Sequence, residues 1–157
     1  MALVLVRVDD RLIHGQVVEG WLRVIQAGRI VVVSDQAAGD PLQVSLMRLA
    51  VPPEVQVMVL RVQEAASALN AGEWPQERVL LLLPGLREVS LLVEAGVSFE
   101  SINLGGLHDA PGRSSLTASL ALSPEERQEL RRLLDRKIRI ETRALPTDEI
   151  LSVEVFL

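Results

Sequence analysis

The sequence predicts an α/β domain built on a single open, mostly parallel twisted sheet with helices on both faces. Two features dictate this. Short runs of continuous aliphatic residues, such as Arg29-Ile30-Val31-Val32-Val33 and Arg78-Val79-Leu80-Leu81-Leu82-Leu83, have the composition of strands covered on both sides. Between these runs lie segments with apolar residues at helical spacing, closed by glycine or proline, so strand and helix alternate as parallel crossovers require. Right-handed crossovers of this kind gather the strand-to-helix loops at one edge of the sheet, where open α/β folds bind ligands.

Ala2 to Val8 is the first strand, apolar except for Arg7. After a charged loop, Val17, Val18, Trp21, Leu22 and Ile25 recur at helical spacing, and Gly28 is the expected stop. Arg29 to Ser34 forms the second strand, broken by Asp35. Asp40 and Pro41 suit an N-cap and a first helical residue, with Leu42, Leu46 and Leu49 as the expected inner face. Val51-Pro52-Pro53 ends that helix; Val55 to Leu60 is a third strand, followed by a helix from Val62 to Asn70. Arg78 to Leu83 is the fourth strand, Leu86 to Ala95 a helix that stops at Gly96, and Phe99 to Leu104 the fifth strand. Gly105 to Arg113 has the composition of a flexible polar loop. Leu116, Ala118, Leu120 and Leu122 then alternate with other residues at the period of a strand with one less buried face. Ser123-Pro124-Glu125-Glu126 is a capping box with proline at the first helical position, which starts a helix running to about Leu134. Ile138 and Ile140, set between charged residues, predict a short edge strand, and Thr147 to Leu157 fits either a helix or a strand.

No repeat or linker interrupts this order, so residues 1–157 are expected to form one domain, large enough to bury a core without disulfides or structural metal. Nowhere do about 18 uncharged apolar residues run together, so the chain is not expected to span a membrane. The start of the chain lacks the pattern of a signal peptide and cysteine is absent, which makes the cytoplasm the expected location. A net charge of −5 and an aromatic content of 3% argue against a nucleic-acid surface.

The loop Asp9-Asp10-Arg11-Leu12-Ile13-His14-Gly15-Gln16 offers a histidine at the sheet's ligand edge and at a helix start. An imidazole there suits general-base, metal-ligand or nucleophile chemistry. The backbone N–H groups of Gly15, Gln16 and Val17 favour an anion, and Arg11 supplies a fork for phosphate or carboxylate oxygens. Asp9 or Asp10 is placed to accept a hydrogen bond from one ring nitrogen, leaving the other unprotonated. Gly15 permits close backbone approach, and Gln16 is a further phosphate contact. The competing reading is a solvated loop in which His14 merely caps the helix.

Asp9-Asp10-Arg11-Leu12-Ile13-His14-Gly15-Gln16-Val17, followed by Trp21, resembles the N-terminal signature of the IIB components of the mannose/fructose/sorbose class of the bacterial phosphoenolpyruvate-dependent sugar phosphotransferase system. The likeness extends to Val31-Val32-Val33-Ser34-Asp35, to Ile102-Asn103-Leu104-Gly105-Gly106 and to the Leu116 to Pro146 region, so it spans essentially the whole chain. The resemblance implies that His14 accepts a phosphoryl group at Nδ1 from a phosphohistidine on a IIA protein. It would pass the group to a sugar held by the membrane components IIC and IID. It further implies an antiparallel edge strand on the parallel sheet. A IIB-like regulatory or phosphate-relay module, uncoupled from sugar transport, is the alternative within the same family.

Asp35, His108 and Arg113 are possible contributors from neighbouring loops. Each also has an ordinary role, as turn former, surface histidine or solvated arginine. Ser34 stands where the family more often has asparagine. No His/Cys/Asp cluster has metal-ligand spacing, so neither a metal nor a cofactor is expected. A receiver domain also carries two acids after its first strand. Here, however, Leu60 to Val62 offers no acceptor aspartate and Leu104 to Gly106 no lysine.

Overall fold

The computed structural model describes residues 2–157. The aliphatic runs form β1 (Ala2–Asp9), β2 (Arg29–Val33), β3 (Gln56–Leu60), β4 (Arg78–Leu83) and β5 (Ser101–Gly106). Three short strands follow: β6 (Ser114–Ser115), β7 (Ala121–Leu122) and β8 (Arg139–Glu141). A π-helical segment, Gln16–Trp21, runs on into α1 (Leu22–Ile25). The remaining helices are α2 (Asp35–Ala38), α3 (Pro41–Leu49), α4 (Val62–Ala71), α5 (Leu86–Glu94) and α6 (Pro124–Asp135).

The main sheet has the order β3-β2-β4-β1-β5-β8, and all its pairings among the described residues are parallel. Antiparallel pairing lies elsewhere than the expected edge strand: in the separate ribbon β6-β7 and in a single bridge between Glu141 and Ser152. The reason is connectivity. The α6 crossover returns the chain beside β5 in the same direction, and only afterwards does it fold back, with the Thr142 N–H donating to the Leu151 carbonyl over 2.9 Å.

Side chains alternate between two cores. Val31, Val33, Leu81 and Leu83 pack with α4, α5 and α6 on one face, whereas Ile30, Val32, Leu80 and Leu82 meet Val17, Leu22 and Met47 on the other. Thus β1 is followed by a helix on one face while its neighbours β4 and β5 lead into helices on the opposite one. A crevice opens at such a reversal, at the carboxyl end of β1.

Several local expectations shift. On α3 the inward residue is Met47, while Leu42, Leu46 and Leu49 are exposed, because the Asp40 cap and the packing on β3 rotate the other stripe toward the sheet. The first helix ends before Gly28, with Gln26 in the left-handed region at φ 51°. The segment around Leu116 is a tight turn rather than a strand, since the N–H groups of Leu116 and Thr117 both donate to the Leu120 carbonyl, at 2.8 and 3.1 Å. The last segment closes with a 3-10 turn, Val153–Phe156.

Candidate functional site

The site grows from the end of β1. After Asp9 the chain turns sharply, with the Leu12 N–H donating to the Asp9 carbonyl over 3.0 Å. Leu12 has a φ of 58°, a strained value for a leucine, and its buried side chain in the core anchors the turn. The next element begins at His14, whose carbonyl accepts from both Val17 and Val18 at 3.0 Å. Of the three amides expected to be free, Val17 is therefore already used. Gly15 and Gln16 have no protein acceptor for their N–H among the described residues. The π-helical winding that follows belongs to a class of irregularity common at functional sites.

His14 is held by Asp9, not Asp10. Its Nε2 lies 2.8 Å from Oδ2 of Asp9, and its side chain is 15% exposed. Asp9 is fully buried. Burial pushes its carboxyl pKa up, but hydrogen bonds from His14 and the Arg11 backbone N–H, with the charge of Arg7, outweigh this and hold it below the ordinary carboxylate value. An ionised carboxylate can only accept, so Nε2 carries the proton and Nδ1 of the neutral ring is left with a free lone pair.

Behind Asp9 stands Arg7, the other charged residue of β1, also fully buried. Its Nη2 donates to Asp9 Oδ2 over 2.9 Å, and its Nη1 donates to Asn103 Oδ1 at 2.7 Å and to the Arg143 carbonyl at 3.1 Å. The guanidinium lies 5.4 Å from the centre of the Trp21 ring, and that of Arg143 lies 5.1 Å from the same ring. Asn103 in turn donates to Glu141 Oε1 over 2.9 Å. Sequence reasoning missed Arg7, Asn103, Glu141 and Arg143 as parts of the site. The available signal was the lone arginine inside an aliphatic run, which has to find partners when buried.

The glycine pair was also misjudged as a flexible loop. Gly105 and Gly106 end β5, paired beside Asp9. A Cβ at Gly105 would fall on the Arg7 guanidinium, well inside van der Waals contact, and one at Gly106 would sit 3.0 Å from Asp9 Oδ1. Missing side chains here create room for two buried charged groups. Gly105→Ala is therefore expected to displace Arg7 from Asp9 and to destabilise the domain by about 3–5 kcal/mol, the cost of breaking a buried ion pair. Urea unfolding checks this, and a loss below about 0.5 kcal/mol would show that the close approach is dispensable.

The other candidates separate into distinct groups. Asp10 serves the β5 loop: its carboxylate accepts from the His108 backbone N–H at 2.7 Å and lies 2.5 Å from His108 Nδ1. Arg113 braces that loop, donating to the His108 carbonyl at 2.7 Å and to both Glu126 carboxylate oxygens at 2.9 and 3.0 Å. Asp35 accepts from the Val62 N–H at 2.8 Å and so caps α4. Arg11 is placed over the His14 loop with its side chain 43% exposed, donating from Nη2 to Gln16 Oε1 at 3.0 Å. The structure thus groups His14 with Asp9, Arg11, Gly15 and Gln16, and sets Asp10, His108 and Arg113 apart as a buttress. Two clefts flank the loop: one of about 430 Å³ touches Asp10, Leu12 and Asp35, and one of about 500 Å³ touches Arg11, Gln16 and His108. His14 lines neither cleft, and its side chain is 15% exposed.

Comparison with known proteins adds a family. Residues 3–157 match the family described as PTS system sorbose subfamily IIB component. The chain is 31% identical to the sorbose-specific EIIB component of Klebsiella pneumoniae over 153 residues, covering 98% of this chain and 93% of that protein. It is 34% identical to the mannose-specific EIIAB component of Escherichia coli K12 over 98% of this chain, which spans about half, 47%, of that longer protein. The crystal structure of the IIBSor domain of the Klebsiella pneumoniae sorbose permease superposes with a TM-score of 0.91 at 31% identity, covering 98% of this chain and 94% of that one.

Proposed function

The chain belongs to the sorbose subfamily of IIB components, phosphotransferases of the sugar phosphotransferase system, and we propose that His14 is its phosphoryl acceptor, working through Nδ1. The observation that carries this reading is the 2.8 Å contact between His14 Nε2 and a buried carboxylate, because it commits one nitrogen to the protein and leaves the other as nucleophile. In the transfer, a new bond forms between Nδ1 and phosphorus while the P–N bond on the donor histidine breaks. The bonding pair returns to the donor ring, and the positive charge that arises on the His14 ring faces Asp9. Gly15 and Gln16 offer N–H groups to the phosphate oxygens, and Arg11 swings from Gln16 to neutralise them, so positioning and charge do the work that phosphoryl transfer demands.

The donor is a phosphorylated IIA protein and the onward acceptor a sugar presented by IIC and IID, with the chain acting in the cytoplasm. Among the described residues no helix is long and apolar enough to cross a membrane. A partly exposed His14 between open clefts suits two protein partners that reach the same nitrogen in turn. Incubation with a phosphorylated IIA donor is expected to give an acid-labile phosphate, located at His14 Nδ1 by phosphorus and nitrogen NMR. Phosphate found on His108 instead would overturn the assignment.

Arg11→Ala tests the anion-binding role separately. The Arg11 side chain is 43% exposed and its Nε is 3.7 Å from Asp9 Oδ1, so the substitution is expected to lower the unfolding free energy by no more than about 1 kcal/mol. It is expected to slow phosphoryl transfer roughly 10- to 100-fold. Stopped-flow transfer at an unchanged rate would remove Arg11 from the site.

A further inference from the structure

Arg7 does not touch the face where a phosphoryl group would arrive, yet it is the most heavily committed side chain of the site. Its contacts come from four parts of the chain: Asp9 on β1, Asn103 on β5, Trp21 in the π-helical segment and the carbonyl of Arg143 beyond β8. Its Nε is buried without a hydrogen-bond partner, so the residue is retained at a cost in polar satisfaction. A fully buried arginine that only filled space would be replaced at little loss by an aliphatic residue. Its distinctive property is a fixed positive charge, 2.9 Å from the same Oδ2 atom that holds His14.

The geometry points to Arg7 as a positioning residue for His14: by answering the charge of Asp9 inside the protein, its guanidinium leaves the imidazole singly protonated at Nε2 and keeps Nδ1 free to attack. The inference rests on His14 being the phosphoryl acceptor. The charged groups facing this cluster are few. They are Arg7 and Asp9 on β1, Arg11 and His14 in the following loop, and Glu141 and Arg143 at and just beyond the end of β8. The side chains that the π-helical segment and β5 bring against Arg7, Trp21 and Asn103, are neutral, and β4 places Leu82 and Leu83 alongside. Without Arg7, the buried carboxylate keeps only the partly solvated Arg11, whose Nε is 3.7 Å from Oδ1, and the nearby group able to gain a further compensating charge is the His14 ring. A second proton then sits on Nδ1, and the lone pair needed for attack is lost until the pH is raised.

Phosphoramidate serves as the probe, since it phosphorylates imidazoles without a protein partner. The Nδ1–P bond forms, the P–N bond of the reagent breaks, and the nitrogen takes a proton and leaves as ammonia. Rates for Arg7→Met and the parent are compared as a ratio at each pH from 6 to 9.5, so the reagent's own protonation cancels. The expected ratio is roughly one tenth or lower at pH 7, rising toward unity above pH 9, as an opposite charge within a few ångströms displaces a titration by one to three pH units. Arg7→Met combined with Asp9→Asn should lose this alkaline recovery, because the uncompensated charge is gone. A ratio constant across the range overturns the proposal, whether the rate falls or not. If Arg7→Met does not fold, Arg7→Gln, which keeps donors for Asp9 and Asn103 without the charge, carries the same measurement. Failure of both to fold assigns Arg7 a purely structural role and also overturns it. An unlabelled parent protein would instead remove the His14 reading on which this one stands.

Discussion

Exchange of His14 for alanine is expected to abolish labelling by a phosphorylated IIA donor, a loss of at least about 10⁴-fold, because the attacking nitrogen is removed. The second histidine is expected not to substitute, because its setting differs: His108 Nδ1 lies 2.5 Å from the partly exposed Asp10, whereas His14 pairs through Nε2 with the buried, Arg7-paired Asp9. The fold should tolerate the change. Asp9 keeps its ion pair with Arg7 and the backbone N–H of Arg11, so the loss in unfolding free energy is expected to stay near about 1–2 kcal/mol, that of one charge-assisted hydrogen bond. Labelling and urea unfolding measured on the same preparation separate the two effects. Persistent labelling of the variant would end the assignment of His14.

Asp9→Asn is expected to have the second largest effect, on stability and transfer together. The substitution preserves shape but leaves the Arg7 guanidinium buried without its counter-charge, a loss of about 3–5 kcal/mol. Transfer should also slow by roughly 10²–10⁴, since the ring loses both the anchor for Nε2 and the negative charge facing it when phosphorus attaches. The pH dependence gives an independent check. The carboxyl pKa of Asp9 is lowered in the folded state, so its contribution is fully present above the ordinary carboxylate pKa, about 4, and is lost as pH falls through the lower folded value. The stability gap between parent and Asp9→Asn should therefore be widest at neutral pH and shrink in acid. A gap that is the same at pH 7 and at pH 2 would show that the charge of Asp9 is not its source.

These expectations mark where sequence and structure contribute differently. Caps and breakers were legible locally: Asp40 accepts from the Gln43 N–H, and Ser123 and Glu126 form the reciprocal cap read from their spacing. The strands were legible because a continuous aliphatic run has few other uses in a chain of this size, and β4 occupies Arg78–Leu83 as expected. Helix rotation was less legible. Leu42, Leu46 and Leu49 form the more apolar stripe of α3, yet they face outward, since the packing of Met47 under the helix and not hydropathy alone chooses the inward side. The alternation around Leu116 misled for a related reason, because period two is shared by a strand and by a turn whose ends happen to be apolar.

Within the site, the residues of one short loop were visible together, and their resemblance to a known family implied the proposed acceptor and chemistry. The sequence by itself determined the α/β class, the position of His14 at the sheet's ligand edge, and the residue types suited to an anion. Only the tertiary structure decided which of the two adjacent aspartates serves His14, that Asp10 instead ties down the His108 loop, and that Arg7 and Gly105 belong to the site. The physical reason is range. Caps, turns and periodicity act over a few residues, whereas Arg7 meets Asn103 across 96 positions and the Arg143 carbonyl across 136, contacts that exist only once β1 lies beside β5.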